Sequence, residues 1–103
     1  MDRECTEQIA GFLSKVKERF KPESTILFGS RARGDYLEES DYDIMIVAKS
    51  FRGIHFLERM ELVYELWDDK RRLDVVCYTP EELEVKREQI GTARQACDEG
   101  VLL

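Results

Sequence analysis

Two short β-branched runs, Thr25–Phe28 and Tyr42–Val47, restrict the fold more than any other feature of the sequence. The connection between them opens with Gly29-Ser30 and closes with Ser40-Asp41. Each run is too short for a stable helix and rich in the residue types that fit a pleated surface, so both read as strands. The second is apolar almost without interruption over Ile44–Val47, which predicts a strand covered on both faces. Between them, Arg31-Ala32-Arg33 has good helical propensity and Gly34-Asp35 breaks it, predicting one short helical turn. A third strand is expected at Leu73–Tyr78, apolar except for Asp74.

Helical periodicity fills the rest. Over residues 4–20, Ile9, Phe12, Leu13, Val16 and Phe20 form one apolar stripe, ended at Lys21-Pro22 because a residue before proline is biased out of the helix. A second helix is expected at 54–69, with Phe56, Leu57, Met60, Val63, Tyr64 and Trp67 on one face and Leu62 and Leu66 widening it. So wide a face could pack on the sheet or meet another chain. Thr79-Pro80-Glu81-Glu82 carries the marks of a helix start, with threonine as N-cap and glutamate three residues on. That last helix is expected to run to a cap at Gly100, kinked at Gly91, where glycine costs about 1 kcal/mol against alanine. Val101-Leu102-Leu103 is an apolar tail that could dock on the domain or on a partner.

The fold class expected is α/β of the α+β type: a small mixed sheet of about three strands packed by three to four helices. Strands two and three are parallel, with the 54–69 helix as their crossover, and strand one runs antiparallel to strand two. This is the arrangement in which Asp41, Asp43 and Asp74, each at the start of its strand, meet Gly29-Ser30 on one rim.

With 103 residues the expectation is one domain, 1–103. The net charge of −6 argues against a polynucleotide footprint, which draws on a basic surface, and suits a divalent-cation site or a basic partner. No apolar run approaches the ~20 residues of a membrane span. No apolar core follows the first residues, Met1-Asp2-Arg3-Glu4, so no secretory leader is expected and the setting is cytoplasmic. Cys5, Cys77 and Cys97 are odd in number and lack metal-ligand spacing, which predicts reduced, buried thiols rather than zinc or disulfides. His55, the single histidine, stands outside any motif.

Asp41 and Asp43 alternate along a strand, so their carboxylates project to one face with Cα atoms roughly 7 Å apart. Such a pair can bridge metal ions about 3.5–4 Å apart, and oxygen donors without His or Cys suit Mg²⁺ or Mn²⁺. Taken alone, such a pair is more often a solvated strand edge. Asp74, inside an apolar strand, would suffer several kcal/mol of desolvation unless paired, with Arg72 for example, or bound to metal. In the second case it is a third ligand that helps deprotonate an attacking hydroxyl. Gly29 permits close backbone approach, and Ser30 either opens a helix whose N–H groups favour phosphate or is simply its N-cap. Arg31 and Arg33 could neutralise triphosphate charge or pair with Asp35, Glu38 and Glu39. Surface pairing is expected for Arg31 and phosphate contact for Arg33, while Ser40 could cap or orient Asp41.

Gly29-Ser30, ten residues, then Asp41-Tyr42-Asp43 resembles the GS-x10-DxD signature of the DNA polymerase beta-like nucleotidyltransferase superfamily, with Asp74 where that superfamily carries its third carboxylate. Gly29-Ser30-Arg31-Ala32-Arg33-Gly34 and Ser40-Asp41-Tyr42-Asp43 resemble the minimal nucleotidyltransferases of prokaryotes in particular. The resemblance is close over residues 25–78 and looser over the flanking helices. It implies Mg²⁺-dependent (or Mn²⁺-dependent) transfer of a nucleoside monophosphate, AMP from ATP, to a hydroxyl. Asp41, Asp43 and Asp74 would be catalytic and metal-binding, and Gly29, Ser30 and Arg33 nucleotide-binding. Minimal members are often encoded beside a helical HEPN-domain toxin and act as antitoxins by adenylylating one of its tyrosines. The chain is short for a template or tRNA substrate, which favours an acceptor supplied by a partner protein. The alternative is a module of this fold that neutralises its partner by binding alone. The 54–69 helix or the C-terminal tail could also join two copies. A glycosyltransferase with its own Asp-x-Asp fits poorly, since that fold needs a longer chain.

Overall fold

Strand pairing places the near-continuous apolar run in the interior of the sheet. In the computed structural model, which describes residues 7, 9–37, 40–89 and 91–103, the strands are β1 (Ser24–Phe28), β2 (Tyr42–Val47), β3 (Leu73–Tyr78) and β4 (Val101–Leu102). The sheet order is β3-β2-β1-β4. The described helices are α1 (Ala10–Phe20), α2 (Gly29–Arg33), α3 (Phe56–Tyr64), α4 (Pro80–Lys86) and α5 (Thr92–Glu99). β1 runs antiparallel to β2, with Phe28 opposite Asp43, and β2 runs parallel to β3, with Asp43 beside Asp74. A parallel pair needs a long crossover, and α3 lies in it as expected.

Alternation along each strand divides the core into two layers. Tyr42, Ile44 and Ile46, with Leu27, Val75 and Cys77, pack against Phe12, Val16 and Phe20 of α1 and Val63 of α3. On the opposite face Met45, Val47, Phe28 and Tyr78 meet Ala93 and Ala96 of α5. Ile44, Met45 and Ile46 are each 0% exposed, the double coverage their apolarity predicted. Asp43 and Asp74 belong by alternation to the second face, where the cover over Met45 gives way to an open cleft.

The sheet has four described strands rather than about three, and five helices rather than three to four. The apolar tail accounts for the extra strand. Ile26 and Leu27 pair with Leu102 and Val101, and the Leu103 N–H donates to the Thr25 carbonyl at 2.9 Å, so the tail docks on its own domain. The expected last helix is two rather than one kinked at Gly91: α4 ends at Lys86, and Gly91, at φ 151°, is the N-cap from which α5 starts. Thr79 caps α4 as expected: its hydroxyl accepts from the Glu82 N–H, and the Glu82 carboxylate accepts from the Thr79 N–H at 2.8 Å. Of the expected 4–20 helix, residues 4–6 and 8 lie outside the described residues.

The expected 54–69 helix is shorter at both ends. Beyond Tyr64 the chain turns, and the Trp67 indole donates to the Arg71 carbonyl at 2.7 Å while its ring meets Phe12 and Tyr42 edge-on. Its wide face divides. Val63 is buried, and Met60, Leu62, Leu66 and Trp67 pack on the core, but Phe56, Leu57 and Tyr64 remain exposed. Arg59, which the periodicity left off the apolar face, is buried and joins α3 to α4 through Glu82 at 2.5 Å. Cys77 is buried as expected, and burial pushes its thiol up to about 12. Cys97, contrary to expectation, is exposed on the outer side of α5, and Cys5 lies outside the described residues.

Gly100, where α5 turns into β4, is needed for space and not for its backbone angle. A Cβ there would lie 2.3 Å from both the Ala96 carbonyl oxygen and the Ile26 side chain. Gly100→Ala is therefore expected to lower stability by about 1–3 kcal/mol through overpacking. Gly11→Ala, in open space on α1, should raise it by up to about 1 kcal/mol. Urea midpoints at unchanged m-value check both signs.

Candidate active site

The site is built on two adjacent parallel strands. Asp43 and Asp74 are direct register partners, so their side chains leave the same face of strands about 4.8 Å apart. Asp41 precedes β2 by one residue and completes the group. The mutual field is felt at Asp43, whose carboxyl is pushed up to about 6: partial burial contributes most, then the charges of Asp74 and Asp41, with Arg33 opposing. Asp43 and Asp74 thus leave one face side by side, and Asp41 lies near enough for its charge to act on Asp43.

One premise fails. Asp74 is exposed, because burial alternates along β3 and Asp74 falls on its open side, so no desolvation penalty demands a partner for it. What sets Asp74 apart is its register position beside Asp43. Arg72, the partner considered for it, is also exposed to solvent.

Gly29 opens α2 at φ 72°, in the left-handed region, and a Cβ there would lie 2.3 Å from the Asp43 Oδ2. Close approach is thus required, and the nearest group is the catalytic candidate itself. Any side chain at residue 29 would drive that carboxylate away. Ser30 is not the N-cap: Phe28 holds that position without a side-chain cap bond, and Ser30 is the second residue of α2. Gly34, at φ 86°, ends α2 as expected, its N–H donating to the Ser30 carbonyl at 3.0 Å.

The two arginines part company. Arg33 is exposed, pairs with Asp35 at 3.3 Å and Glu99 at 3.7 Å, and lies near enough to Asp43 to draw its carboxyl down. Arg31, expected at the surface, is only 1% exposed. Its Nε and Nη2 donate to the Ser40 carbonyl at 3.3 and 2.9 Å, and its guanidinium stacks on Tyr36 at 4.4 Å and Tyr42 at 4.3 Å. The signal was present as two tyrosines bracketing the connection, with an arginine able to fill the space between them. Ser40 Oγ accepts from the Leu37 N–H at 2.9 Å, which shapes the turn before Asp41. Glu38 and Glu39, named as possible partners, lie outside the described residues.

Asp43 and Asp74 open on a cleft of about 400 Å³, walled by Phe28 and Gly29, by Met60 and Tyr64 of α3, and by Thr92 and Gln95 of α5. Thr92 and Gln95 were missed by sequence reasoning, since nothing in the α5 segment marks a site until its contact with β1 is known. The donor set is oxygen alone, which fits Mg²⁺ or Mn²⁺. Among the described residues no three carboxylate, imidazole or thiol groups already stand at coordination spacing. Three like charges repel, and a divalent cation is what would draw these together.

The chain belongs to the nucleotidyltransferase domain family, which matches residues 9–97. A 46-residue segment is 64% identical to a Methanocaldococcus jannaschii protein provisionally named a protein adenylyltransferase, covering 45% of this chain and 44% of that one. A second protein of that organism, with the same provisional name, is 44% identical over 48 residues, 47% of this chain and 48% of its own length. The matches thus span somewhat under half of these relatives. Among solved structures, a protein of Sulfolobus solfataricus provisionally described as a nucleotidyltransferase superposes with a TM-score of 0.65 at 29% identity, covering 92% of this chain and 76% of its own. BolA1 of Arabidopsis thaliana, at 24% identity and a TM-score of 0.60 over 73% of this chain and 94% of its own, shares the fold alone.

The raised Asp43 carboxyl predicts a pH dependence in metal-free protein. A carboxyl held more tightly protonated in the folded state contributes stability present below the unfolded value, about 3.9, and lost as pH rises through about 6. Two pH units would amount to about 3 kcal/mol, and solvent screening of a half-exposed group reduces that to about 1 kcal/mol. Asp43→Asn should therefore exceed wild type by about 1 kcal/mol, or roughly 5 °C in Tm, near neutral pH. The two should coincide near pH 4, and thermal unfolding in EDTA across this range reads the crossover.

Proposed function

We propose that this chain is a divalent-metal-dependent nucleotidyltransferase that moves AMP from ATP to a hydroxyl of a partner protein. The observation that carries the reading is the register of Asp43 beside Asp74 with Gly29 against them, at the mouth of a cleft large enough for part of a nucleotide. The provisional names of the Methanocaldococcus relatives support protein as the acceptor.

Asp41, Asp43 and Asp74 would hold Mg²⁺ or Mn²⁺, which supplies charge neutralisation for the phosphates and the departing pyrophosphate. Gly29 presents backbone to the phosphates without a side chain in the way, Ser30 adds its N–H and hydroxyl, and Arg33 exchanges its exposed carboxylate partners for phosphate oxygens. Asp74, open to the cleft, takes the proton from the attacking hydroxyl. The acceptor oxygen bonds to the α-phosphorus as the bond to the β-phosphate oxygen breaks, leaving an adenylylated partner and pyrophosphate.

The partner we infer is a helical HEPN-domain toxin, with this chain as its cytoplasmic antitoxin. No described helix is long and apolar enough to cross a membrane. Exposed Phe56 and Leu57 on α3 favour a second reading, neutralisation by binding alone, and the same face could join two copies.

Incubation with α-labelled ATP, Mg²⁺ or Mn²⁺, and the product of the adjacent reading frame tests both readings. Label should move to that protein, and Asp41→Asn should reduce transfer by about a hundredfold or more, beyond the cost of losing an outer partner of a metal site. Absence of transfer with every common ribonucleoside triphosphate contradicts the enzymatic reading. Undiminished neutralisation by Asp41→Asn establishes the binding one.

A further inference from the structure

Arg31 is a buried cation that the proposed chemistry does not use. Its charge is not among the causes that shift Asp43, where Arg33 is the opposing cation. Burying a guanidinium costs several kcal/mol unless its donors are satisfied, and here two of them converge on one oxygen, the Ser40 carbonyl, between two tyrosine rings. That oxygen belongs to the peptide joining Ser40 to Asp41. The peptide is planar, so fixing the Ser40 carbonyl also fixes the Asp41 N–H and constrains its Cα.

The clamp therefore ties α2, which opens at Gly29-Ser30, to the residue that starts the carboxylate group. We infer that Arg31 is a positioning residue: its grip on the Ser40 carbonyl sets Asp41 relative to the phosphate turn and so preforms the cation site. The inference rests on the proposed role of Asp41 as a metal ligand. A purely structural Arg31 would hold the 36–42 connection down without affecting cation affinity in the folded protein.

Arg31→Lys separates the two roles, because it keeps the charge and loses the planar two-donor fork and its stacking. Titration with Mn²⁺, followed by the electron paramagnetic resonance of the free ion, reads affinity without needing an acceptor. The expected result is half-saturation raised about 10–100-fold in Arg31→Lys, the usual penalty for disturbing an outer partner of a metal site, with folding intact by circular dichroism. Tyr36→Leu removes one ring of the clamp and leaves the guanidinium. It should shift half-saturation the same way by less, and it decides the matter if Arg31→Lys does not fold. Wild-type affinity in the folded variants overturns this inference alone. A wild-type chain that takes up no Mn²⁺ overturns the metal reading of the three aspartates and this inference with it.

Discussion

Two aspartates leave the same face of neighbouring parallel strands with no residue between them, and the structure has to contain their repulsion. Asp43 beside Asp74 is a register that a sheet chosen for stability alone would avoid, since like charges placed side by side across a ladder destabilise it. The fold tolerates the pair because both strands are otherwise strongly apolar and heavily buried. Ile44, Ile46, Val75 and Cys77 anchor them to the α1 side, so the ladder cannot slip to separate the charges without turning that core outward.

The asymmetry of the two layers follows. One face carries large side chains against α1 and α3, while the other is covered by Ala93 and Ala96 of α5, small enough for that helix to lie close to Met45. Close packing there leaves a cleft rather than a filled core at the aspartate end. Gly100 lets the chain leave α5 and return as β4, covering the β1 edge. On the opposite edge Arg59 occupies the Cys77 carbonyl at 3.2 Å and the Ile54 carbonyl at 2.8 Å, and its partner Glu82 also completes the α4 capping box. Both edges thus take partners from distant parts of the chain, and the end that carries Asp43 and Asp74 is the end that faces the cleft.

Much of this was legible in the sequence because it rests on short-range pattern. The strands at Tyr42–Val47 and Leu73–Tyr78, the α4 start at Thr79 and the break at Gly34 each follow from local residue preference. The mixed topology followed from requiring Asp41, Asp43 and Asp74 to meet. What escaped was set by distant contact. Arg31 and Arg59 look like solvated charges until the carbonyls that receive them come near, and Val101–Leu102 becomes a strand only because β1 offers an open edge. Asp74 was singled out for burial it does not have; apolar neighbours in sequence on a strand say little about the face that the intervening residue occupies. Thr92 and Gln95 reach the cleft through helix placement, to which sequence periodicity is blind.

The central claim is that the three carboxylates form one cation site at the head of the β2–β3 pair. Anomalous diffraction from crystals grown with Mn²⁺ and a non-hydrolysable ATP analogue tests it most directly. The account predicts an anomalous peak coordinated jointly by Asp41, Asp43 and Asp74, with the analogue's phosphates over Gly29-Ser30. A peak held elsewhere on this acidic surface, or phosphates bound away from that turn, would contradict it.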